Sequence, residues 1–423
     1  MPPTVVPDVV ARESELDRIL REGRIYAVYQ PIVELTSGEV VAFEALARVR
    51  GESPLARPDL LFDAARAHGR LVEVDWACRE AALRGAVDHG LRRPLFLNCE
   101  PEAAAVPPPE RMLALLARAE ALFRPTLEIT ERGLSEHPQA VLEVLPLLRE
   151  RGLALALDDV GVDPRSVALM PIVCPDVVKL DLRATQGELT AELADVIHAV
   201  NAHAERTGAM VIAEGIETEA HRLRASALGA THGQGWYFGR PGALPAEARI
   251  PATALPLPSR TGPHDDGAGT PFAALCGDLD VREGPKALLI QLSRQLETHA
   301  SSLGESGILL ATFQHARHFS GPTRRRYEGL GRALSFVGAL GEGIDGCRGG
   351  VRATDLAGDD PLAQEWDVCL LGPHFAGAFV ARDLGSTGPD AERRFAVCVT
   401  YDRERVARVA RRLMARIAAP SGR

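Results

Sequence analysis

The sequence predicts an α/β fold in which eight strand–helix units close into a barrel, followed by a second, smaller α/β domain. At 423 residues the chain exceeds the usual size of a single domain. Between Gly38 and Gly235, short β-branched runs alternate with longer helical stretches, which is the pattern of β/α units. A stretch rich in Pro, Gly and Asp follows, as expected of a linker between two domains.

Eight apolar runs are expected to form the barrel strands. They are Ile25–Val33, Val40–Leu46, Leu95–Asn98, Thr126–Ile129, Leu153–Leu157, Val177–Leu180, Met210–Ala213 and a segment around Trp236. The first two runs are joined by Glu34 to Glu39, too short for a helical crossover, so we expect them to be antiparallel. The remaining parallel strands favour a TIM-like (β/α)8 barrel with its site at the C-terminal strand ends. An open doubly wound sheet is the structural alternative.

The predicted boundaries are residues 1–250 for the barrel, 251–271 for the linker and 272–423 for the second domain. In the second domain we expect an amphipathic helix over Lys286–Ala300 and a closing helix from Arg403. Its expected strands are Ile308–Phe313, Val368–Leu371, Phe379–Asp383 and Phe395–Tyr401. This segment therefore forms a separate α/β module.

Composition argues against several classes of protein. The net charge is -9, and the acidic excess lies before residue 271, which disfavours binding to duplex nucleic acid. Seven scattered cysteines without a CxxC pair indicate free thiols in a reducing compartment. With neither a signal pattern nor an apolar run of ~18 residues, we expect a cytoplasmic protein that does not engage a membrane.

Polar residues stand at the ends of successive predicted strands and would converge in a barrel. They are Glu44, Asn98, Glu128, Asp158, Asp159, Lys179, Glu214 and Gln234. Crowded carboxylates raise each other's pKa unless cations lie among them. Because the donors are oxygen atoms without a His or Cys cluster, the pattern favours Mg²⁺ or Mn²⁺ over zinc. Two such ions would suit an in-line displacement at phosphorus.

These residues lie in seven motifs: YQPIVELTSGEVVAFEALARV, LFLNC, LEITE, ALDDVG, VKLD, VIAEGIETE and HGQGWYFGRP. Taken in order, over roughly residues 20 to 245, they resemble the EAL domain family, with the naming tripeptide at Glu44, Ala45 and Leu46. The resemblance implies a phosphodiesterase that cuts cyclic-di-GMP to linear pGpG with two Mg²⁺ or Mn²⁺ ions per active site. It also implies a homodimer through this domain.

The resemblance assigns roles to individual residues of this chain. The positions that match metal ligands are Glu44, Asn98, Glu128, Asp158, Asp159 and Glu214. Lys179, Glu214 and Glu217 match catalytic positions, with Lys179 orienting the attacking water. The positions that match substrate contacts are Gln30, Arg48, Asp181 and Gln234. Glu131 matches a residue that anchors the loop after the fifth strand.

That loop departs from the family pattern. Where the family has DDFGTGYSS, this chain reads DDVGVDPRS over residues 158–166, so that Phe, Thr and the second Gly are replaced. Neutral drift would leave an enzyme, whereas loss of function would leave a receptor that binds cyclic-di-GMP and signals to a partner. Two further readings are another TIM-barrel enzyme, such as one acting on a sugar phosphate, and a structural scaffold.

The C-terminal segment carries a second resemblance. ILLATFQHARHFSGPTRRRYEGLGRALSFVGALGEG, WDVCLLGPHFAGAFVARDLG and RRFAVCVTYDRERV resemble the DICT domain. The resemblance implies that the domain senses an unidentified signal and adjusts the barrel. His315 and His318 invite a metal-site reading and Arg324 to Arg326 an anion patch, but solvated surface groups give the same pattern.

Overall fold

The fold contains two β-sheets. The computed structural model describes residues 15–130, 133–134, 137–161, 166–251, 269–277, 279–344 and 347–417. Eight strands close into a barrel, and eight later strands form a separate sheet. Within the described ranges, no helix has both the length and the apolar character needed to cross a bilayer.

The barrel strands follow one another around the barrel in chain order. They are β1 (Ile25–Glu34), β2 (Val40–Val49), β3 (Leu95–Asn98), β4 (Pro125–Thr130), β5 (Ala154–Val160), β6 (Val177–Leu180), β7 (Met210–Ala213) and β8 (His232–Gln234). Strand β1 is antiparallel to both β2 and β8, and the other neighbours are parallel. This confirms the TIM-like barrel with an antiparallel first strand.

Helices surround the barrel. They are α1 (Pro58–Ala67), α2 (Leu71–His89), α3 (Pro101–Ala104), α4 (Glu110–Leu122), α5 (Pro138–Glu150), α6 (Ser166–Val173), α7 (Leu182–Gln186), α8 (Ala191–Thr207) and α9 (Glu219–Ala227). Local sequence sets several ends. Thr190 caps α8 by accepting from the Leu193 amide, and Gly208 ends it in the left-handed conformation.

Five barrel strands, β1, β2, β4, β5 and β8, differ from their predicted bounds, and the differences in β2 and β8 affect the site. Strand β2 continues to Val49, so Glu44 lies in its middle, opposite Gln30 of β1. Strand β8 ends at Gln234, before Trp236, whose side chain is 55% exposed. The prediction centred on Trp236 was therefore displaced by a few residues, because the chain leaves the barrel directly after Gln234.

The second sheet consists of β9 (Arg282–Pro285), β10 (Ile308–His315), β11 (Phe336–Glu342), β12 (Cys347–Arg348), β13 (Val351–Asp355), β14 (Glu365–Leu371), β15 (Ala376–Asp383) and β16 (Arg394–Thr400). Their order across the sheet is β12-β13-β11-β10-β14-β15-β16-β9. Its helices are α10 (Pro271–Leu275), α11 (Lys286–Ala300), α12 (Pro322–Leu330) and α13 (Arg403–Ala415). Of the predicted linker, residues 252–268 lie outside the described ranges, and Pro271 begins α10.

The two faces of this sheet bury different cores. Alternate residues of β10 show the division: Leu309 and Ala311 pack with α11 and α12, whereas Ile308 and Leu310 belong to the core that contains α13. The core that contains α13 is continuous with the outer layer of the barrel, because α13 also contacts α5 and α6. Arg411 of α13 donates from Nε to the Ile172 carbonyl of α6 at 2.7 Å.

Candidate active site

Lys179 on β6 lies at the centre of a group of carboxylates inside the barrel mouth. Its side chain is 0% exposed. From Nζ the nearest carboxylate oxygens are at 2.8 Å for Glu214, 2.9 Å for Glu128, 3.0 Å for Asp158 and 3.4 Å for Glu44. Four strands thus present carboxylates to one ammonium group, as the predicted convergence requires.

A chain of side-chain amides holds Glu44 from the other side. Gln234 donates from Nε2 to Glu44 Oε2 at 2.6 Å and to Gln30 Oε1 at 3.1 Å. Asn98 donates to Glu44 Oε1 at 3.0 Å, and Gln30 donates to the Gly239 carbonyl at 3.3 Å. The substrate-contact and metal positions predicted on β1, β2, β3 and β8 are therefore physically connected.

The charges in this group shift one another's protonation. Burial opposes ionisation of Glu44, but Lys179 and the amide donors outweigh it and lower the pKa of Glu44. Burial and the charge of Glu44 hold the pKa of Glu128 well above its usual value. Burial alone would lower the pKa of Lys179, but the surrounding carboxylates, Asp158 first, hold it well above its usual value. One ammonium group cannot neutralise the whole group.

A second subset lies at the ends of β5 and β7. Asp158, Asp159 and Glu214 can each bring one oxygen within 4.8 Å of the others. Burial first, and then the charge of Asp158, raises the pKa of Asp159 to about 6. Burial raises the pKa of Glu214 to about 8. Asp159 also has φ 58°, a left-handed conformation that non-glycine residues adopt at a cost and that concentrates at functional sites.

Several buried oxygens in this group lack a hydrogen-bond donor among the described residues. They are both oxygens of Glu128, Oδ1 of Asp158 and Oε1 of Gln234. Although Lys179 lies near Glu128 and Asp158, its contacts do not satisfy the geometry of a hydrogen bond at those atoms. Buried, unpaired carboxylate oxygens are costly unless a cation binds them. This donor set therefore fits hard divalent cations.

The remaining predicted residues lie around this centre. Arg48 lines the adjoining cavity of about 400 Å³ and donates from Nη1 to the Ala47 carbonyl at 2.7 Å. Asp181 caps α7 by accepting from the Arg183 amide at 2.9 Å. Glu217 is exposed and is not one of the carboxylates around Lys179. Glu131 lies outside the described residues, as do 162–165 of the divergent loop.

Two residues of α2 that the sequence analysis missed also line this cavity. Asp75 and Arg79 form a buried ion pair, Asp75 accepts from the Glu100 amide at 2.9 Å, and the Arg79 guanidinium stacks 3.7 Å above the ring of Trp76. Opposite charges four residues apart on an otherwise apolar helix face were the available signal. They stabilise the turn after β3, which carries Asn98.

Comparison with known proteins bears on these observations directly. Residues 13–241, more than half of the chain, match the family described as EAL domain. The chain belongs to the EAL family. Residues 282–384 match a second family, DICT, described as a sensory domain in diguanylate cyclases and two-component systems. Both resemblances inferred from the sequence are confirmed.

Individual relatives of this EAL protein are distant. NbdA of Pseudomonas aeruginosa, named a cyclic di-GMP phosphodiesterase, is 30% identical over 241 residues, which cover 54% of this chain and 30% of NbdA. The uncharacterized protein Rv1357c of Mycobacterium tuberculosis is 28% identical over 249 residues, covering 54% of this chain and 78% of that protein. Among solved structures, BlrP1 of Klebsiella pneumoniae in complex with manganese and cyclic-di-GMP is 27% identical in sequence. The match covers 52% of this chain and 56% of the BlrP1 chain, with a TM-score of 0.45. The chain thus spans less than a third of NbdA's length.

Proposed function

We propose that the EAL barrel hydrolyses cyclic-di-GMP to linear pGpG with two divalent cations. The observation that carries the proposal is the set of buried carboxylates around Lys179, in which oxygens of Glu128 and Asp158 have no hydrogen-bond donor among the described residues and fit bound cations. Membership of the EAL family and similarity to a named cyclic-di-GMP phosphodiesterase support the same substrate. A purely structural barrel would gain nothing from such a costly arrangement.

The cations would be held by the oxygen donors of two neighbouring subsets. Asp158, Asp159 and Glu214 form one subset, and Glu44, Asn98 and Glu128 form the other. Two Mg²⁺ or Mn²⁺ ions supply Lewis-acid polarisation of the phosphodiester and a lowered pKa for a coordinated water. Because Mg²⁺ and Mn²⁺ prefer oxygen ligands, the donor set suits either ion.

The protein's own groups orient the reactants. Lys179, fixed by four carboxylates, directs its N–H groups toward the centre where the water would attack. Arg48 stands at the cavity wall with a guanidinium suited to a phosphate oxygen. The unpaired Oε1 of Gln234 is an acceptor for an N–H edge of a guanine base.

In the reaction, the water oxygen bonds to phosphorus and one P–O bond of the ring breaks. The leaving oxygen takes up a proton, and the water's remaining proton passes to solvent through a carboxylate. Glu214, 2.8 Å from Lys179 Nζ, is the carboxylate that would relay that proton. Glu217, exposed beyond β7, would act from the loop over the site.

The wider organisation belongs to the same proposal. We assign residues 1–250 to the catalytic barrel, 251–271 to a linker and 272–423 to a DICT domain that regulates it. We further propose a homodimer through the EAL domain. Because α13 already contacts α5 and α6, the second copy would use a different part of the barrel.

A receptor without activity is the second candidate, and the divergent loop favours it. Asp159 holds its left-handed conformation at the start of the segment in which the family's Phe, Thr and second Gly are replaced. A receptor would bind cyclic-di-GMP without converting it. An enzyme would convert it only when a divalent cation is present.

The test is a product assay on the full-length protein with Mg²⁺ or Mn²⁺, followed by chromatography, in wild type and Glu44→Gln. We expect pGpG from wild type, no product in chelator, and a loss of about 100-fold or more in the variant. Glu342→Gln, on an exposed carboxylate of the second sheet, is the matched control. Binding of cyclic-di-GMP without product in wild type would favour the receptor.

A further inference from the structure

A cavity of about 300 Å³ lies on the face of the second sheet that is turned away from α13. Its walls come from α11, from the end of β10 with the turn that follows it, from the start of α12, from β14 and from the turn at Asp390. That size is at the lower end of the range for small-molecule sites. The cavity shares no lining residue with the barrel's site.

Two ion pairs fix the polar part of the wall. Lys286 Nζ lies 2.6 and 2.8 Å from the two carboxylate oxygens of Asp390. Arg326 donates from Nε to Glu297 Oε2 at 2.6 Å, and the Tyr327 hydroxyl donates to the other oxygen at 2.9 Å. Since each carboxylate in the wall is engaged by a cation, neither is left to attract a positively charged ligand.

Two further cations in the wall have no carboxylate partner among the described residues. Arg294 is exposed on α11, and Arg317 contacts only the ring nitrogen of His318, at 3.3 Å. The cavity therefore has an excess of positive charge. The positive charge also affects His318. Burial is the largest cause, followed by the charges of Lys286 and Arg317, and together they lower the pKa of His318 to about 4, so that its ring is neutral.

Gln314 gives the cavity a strained backbone at its edge. Its φ is 57°, although its side chain is only 4% exposed, and the pairing of β10 with β11 shifts register between Thr312 and His315. Its amide oxygen accepts from Arg393 Nη2 at 3.2 Å. Strain of this kind in a non-glycine residue concentrates at ligand sites, where the surrounding contacts hold it.

The rest of the wall is apolar and aromatic. Phe313, Ile290 and the half-buried Trp366 line it. Trp366 is held by edge contacts with Phe379 and Phe395, with ring centroids at 5.2 and 5.7 Å. Rigid aromatic walls beside unpaired guanidinium groups suit a ligand that has both a flat ring and a negative charge.

We propose that this cavity binds a small aromatic anion, with its carboxylate or phosphate group between Arg294 and Arg317 and its ring against Phe313 and Trp366. The site also gives a direct route to the barrel. Helix α11 forms part of the cavity wall and leads into the turn 304–306, which contacts α6, the helix that follows Asp158 and Asp159. An effect of this ligand on turnover would rest on the proposed function of the barrel. Binding of the ligand to the cavity is independent of that function.

Calorimetric titration of the full-length protein tests the proposal. The probes are phenyl phosphate, benzoate, inorganic phosphate and the neutral ring compound benzyl alcohol. We expect saturable binding of phenyl phosphate, benzoate or both, and the comparison of these two identifies the preferred anion. Binding of the rings with a charge should be at least about tenfold tighter than that of inorganic phosphate or benzyl alcohol.

The variants locate the site. Arg294→Gln together with Arg317→Gln should weaken binding of the aromatic anion by about tenfold or more, with an unchanged circular dichroism spectrum. Arg325→Gln, which removes an exposed charge on α12 outside the cavity wall, should leave binding unchanged. The proposal is overturned if neither aromatic anion saturates, if benzyl alcohol binds as tightly, or if Arg325→Gln weakens binding as much as the double variant.

Discussion

At the scale of single residues, the chain is poor in lysine. The chain has 46 arginines and two lysines, and both lysine ammonium groups lie beside carboxylates in the described sites. At position 179 a compact ammonium can contact four carboxylates from different strands, which a planar guanidinium fork does not fit. The identity of this residue is therefore a geometric requirement as well as a charge requirement.

Replacing Lys179 by Met tests that requirement. The change leaves buried carboxylates without their counter-charge, so we expect the free energy of unfolding in chelator to fall by about 3–5 kcal/mol. Mn²⁺ should restore part of the loss by binding the same oxygens. Urea unfolding with chelator and with Mn²⁺ measures both effects.

Lys179→Arg and Arg325→Met are the matched controls. The first keeps the charge but not the shape and should not restore turnover, whereas the second removes an exposed cation and should change stability by no more than about 0.5 kcal/mol. Wild-type stability of Lys179→Met in chelator would contradict this description of the site.

A pair of buried acids on β14 predicts how stability depends on pH. Burial raises the pKa of Glu365 to about 7, and burial together with the charge of Glu365 holds the pKa of Asp367 well above its usual value. The pKa of each acid is higher in the folded than in the unfolded protein, so folding favours the protonated acids. Their contribution to the free energy of unfolding is complete at low pH and is lost as the pH rises from about 4.5 through 7.

We expect Asp367→Asn to remove part of that pH dependence. At pH 8 the variant should be more stable than wild type by about 2 kcal/mol, because it no longer ionises beside Glu365 in the core. Urea unfolding between pH 5 and 8 gives the slope. Asp359→Asn, on an exposed carboxylate, should retain the wild-type slope, and an equal slope in both variants would count against the coupled pair.

Sequence was most informative for site residues that lie on or just beyond strands. Asn98, Glu128 and Lys179 were predicted to converge because parallel strands end at one edge, and they do. Glu217 follows a strand by several residues, so no periodicity constrained it, and the structure leaves it exposed. Asp75 and Arg79 were missed because a charge pair on a helix is usually a surface feature.

At the scale of elements, short buried runs were the easiest to predict. Strands β3, β6 and β7 have the predicted bounds, since a fully apolar run flanked by turn residues leaves little choice of register. Strand β11 was missed because its two glycines weaken the strand pattern. A side chain at Gly338 would collide with Ile417 and Leu310, so close packing requires the glycine that obscures the strand.

Gly235, next to the site residue Gln234, gives a prediction for β8. Its φ of 158° is one that L side chains rarely adopt, and a methyl group there would overlap the backbone of Ile216, which follows Glu214 by two residues. We expect Gly235→Ala to destabilise the protein by about 1–3 kcal/mol and to lower turnover by displacing Glu214. Thermal unfolding and the product assay measure the two effects.

Gly242→Ala is the control, because its nearest neighbour to an added methyl group is the Arg240 carbonyl at 3.8 Å. It should preserve turnover and stability. If Gly235→Ala and Gly242→Ala both keep wild-type stability and turnover, then the close approach of Gly235 to Ile216 does not position Glu214.

At the scale of the whole molecule, the two sheets share packing that the sequence did not reveal. Helix α13 contacts β14 and β15 of its own sheet and also α5 and α6 of the barrel. The sequence predicted a closing helix from Arg403, but the amphipathic pattern of that helix does not distinguish burial against one sheet from burial between two sheets.

A chain that ends at residue 251 should therefore be less stable than the barrel in the full-length protein. Removing α13 exposes apolar surface of α5 and α6, so we expect a melting temperature lower by at least about 4 °C and increased binding of a hydrophobic dye. Calorimetry of both chains measures the difference. An equal melting temperature for the shorter chain would show that the interface contributes no stability.

The most direct test of the central claim is mass spectrometry of the nucleotide after full-length protein is incubated with cyclic-di-GMP and Mn²⁺ in H₂¹⁸O. Hydrolysis predicts linear pGpG that carries one ¹⁸O atom in its terminal phosphate, and the label should be absent when Mn²⁺ is chelated. Recovery of unlabelled cyclic-di-GMP alone, in a sample that binds the nucleotide, would contradict hydrolysis by this barrel.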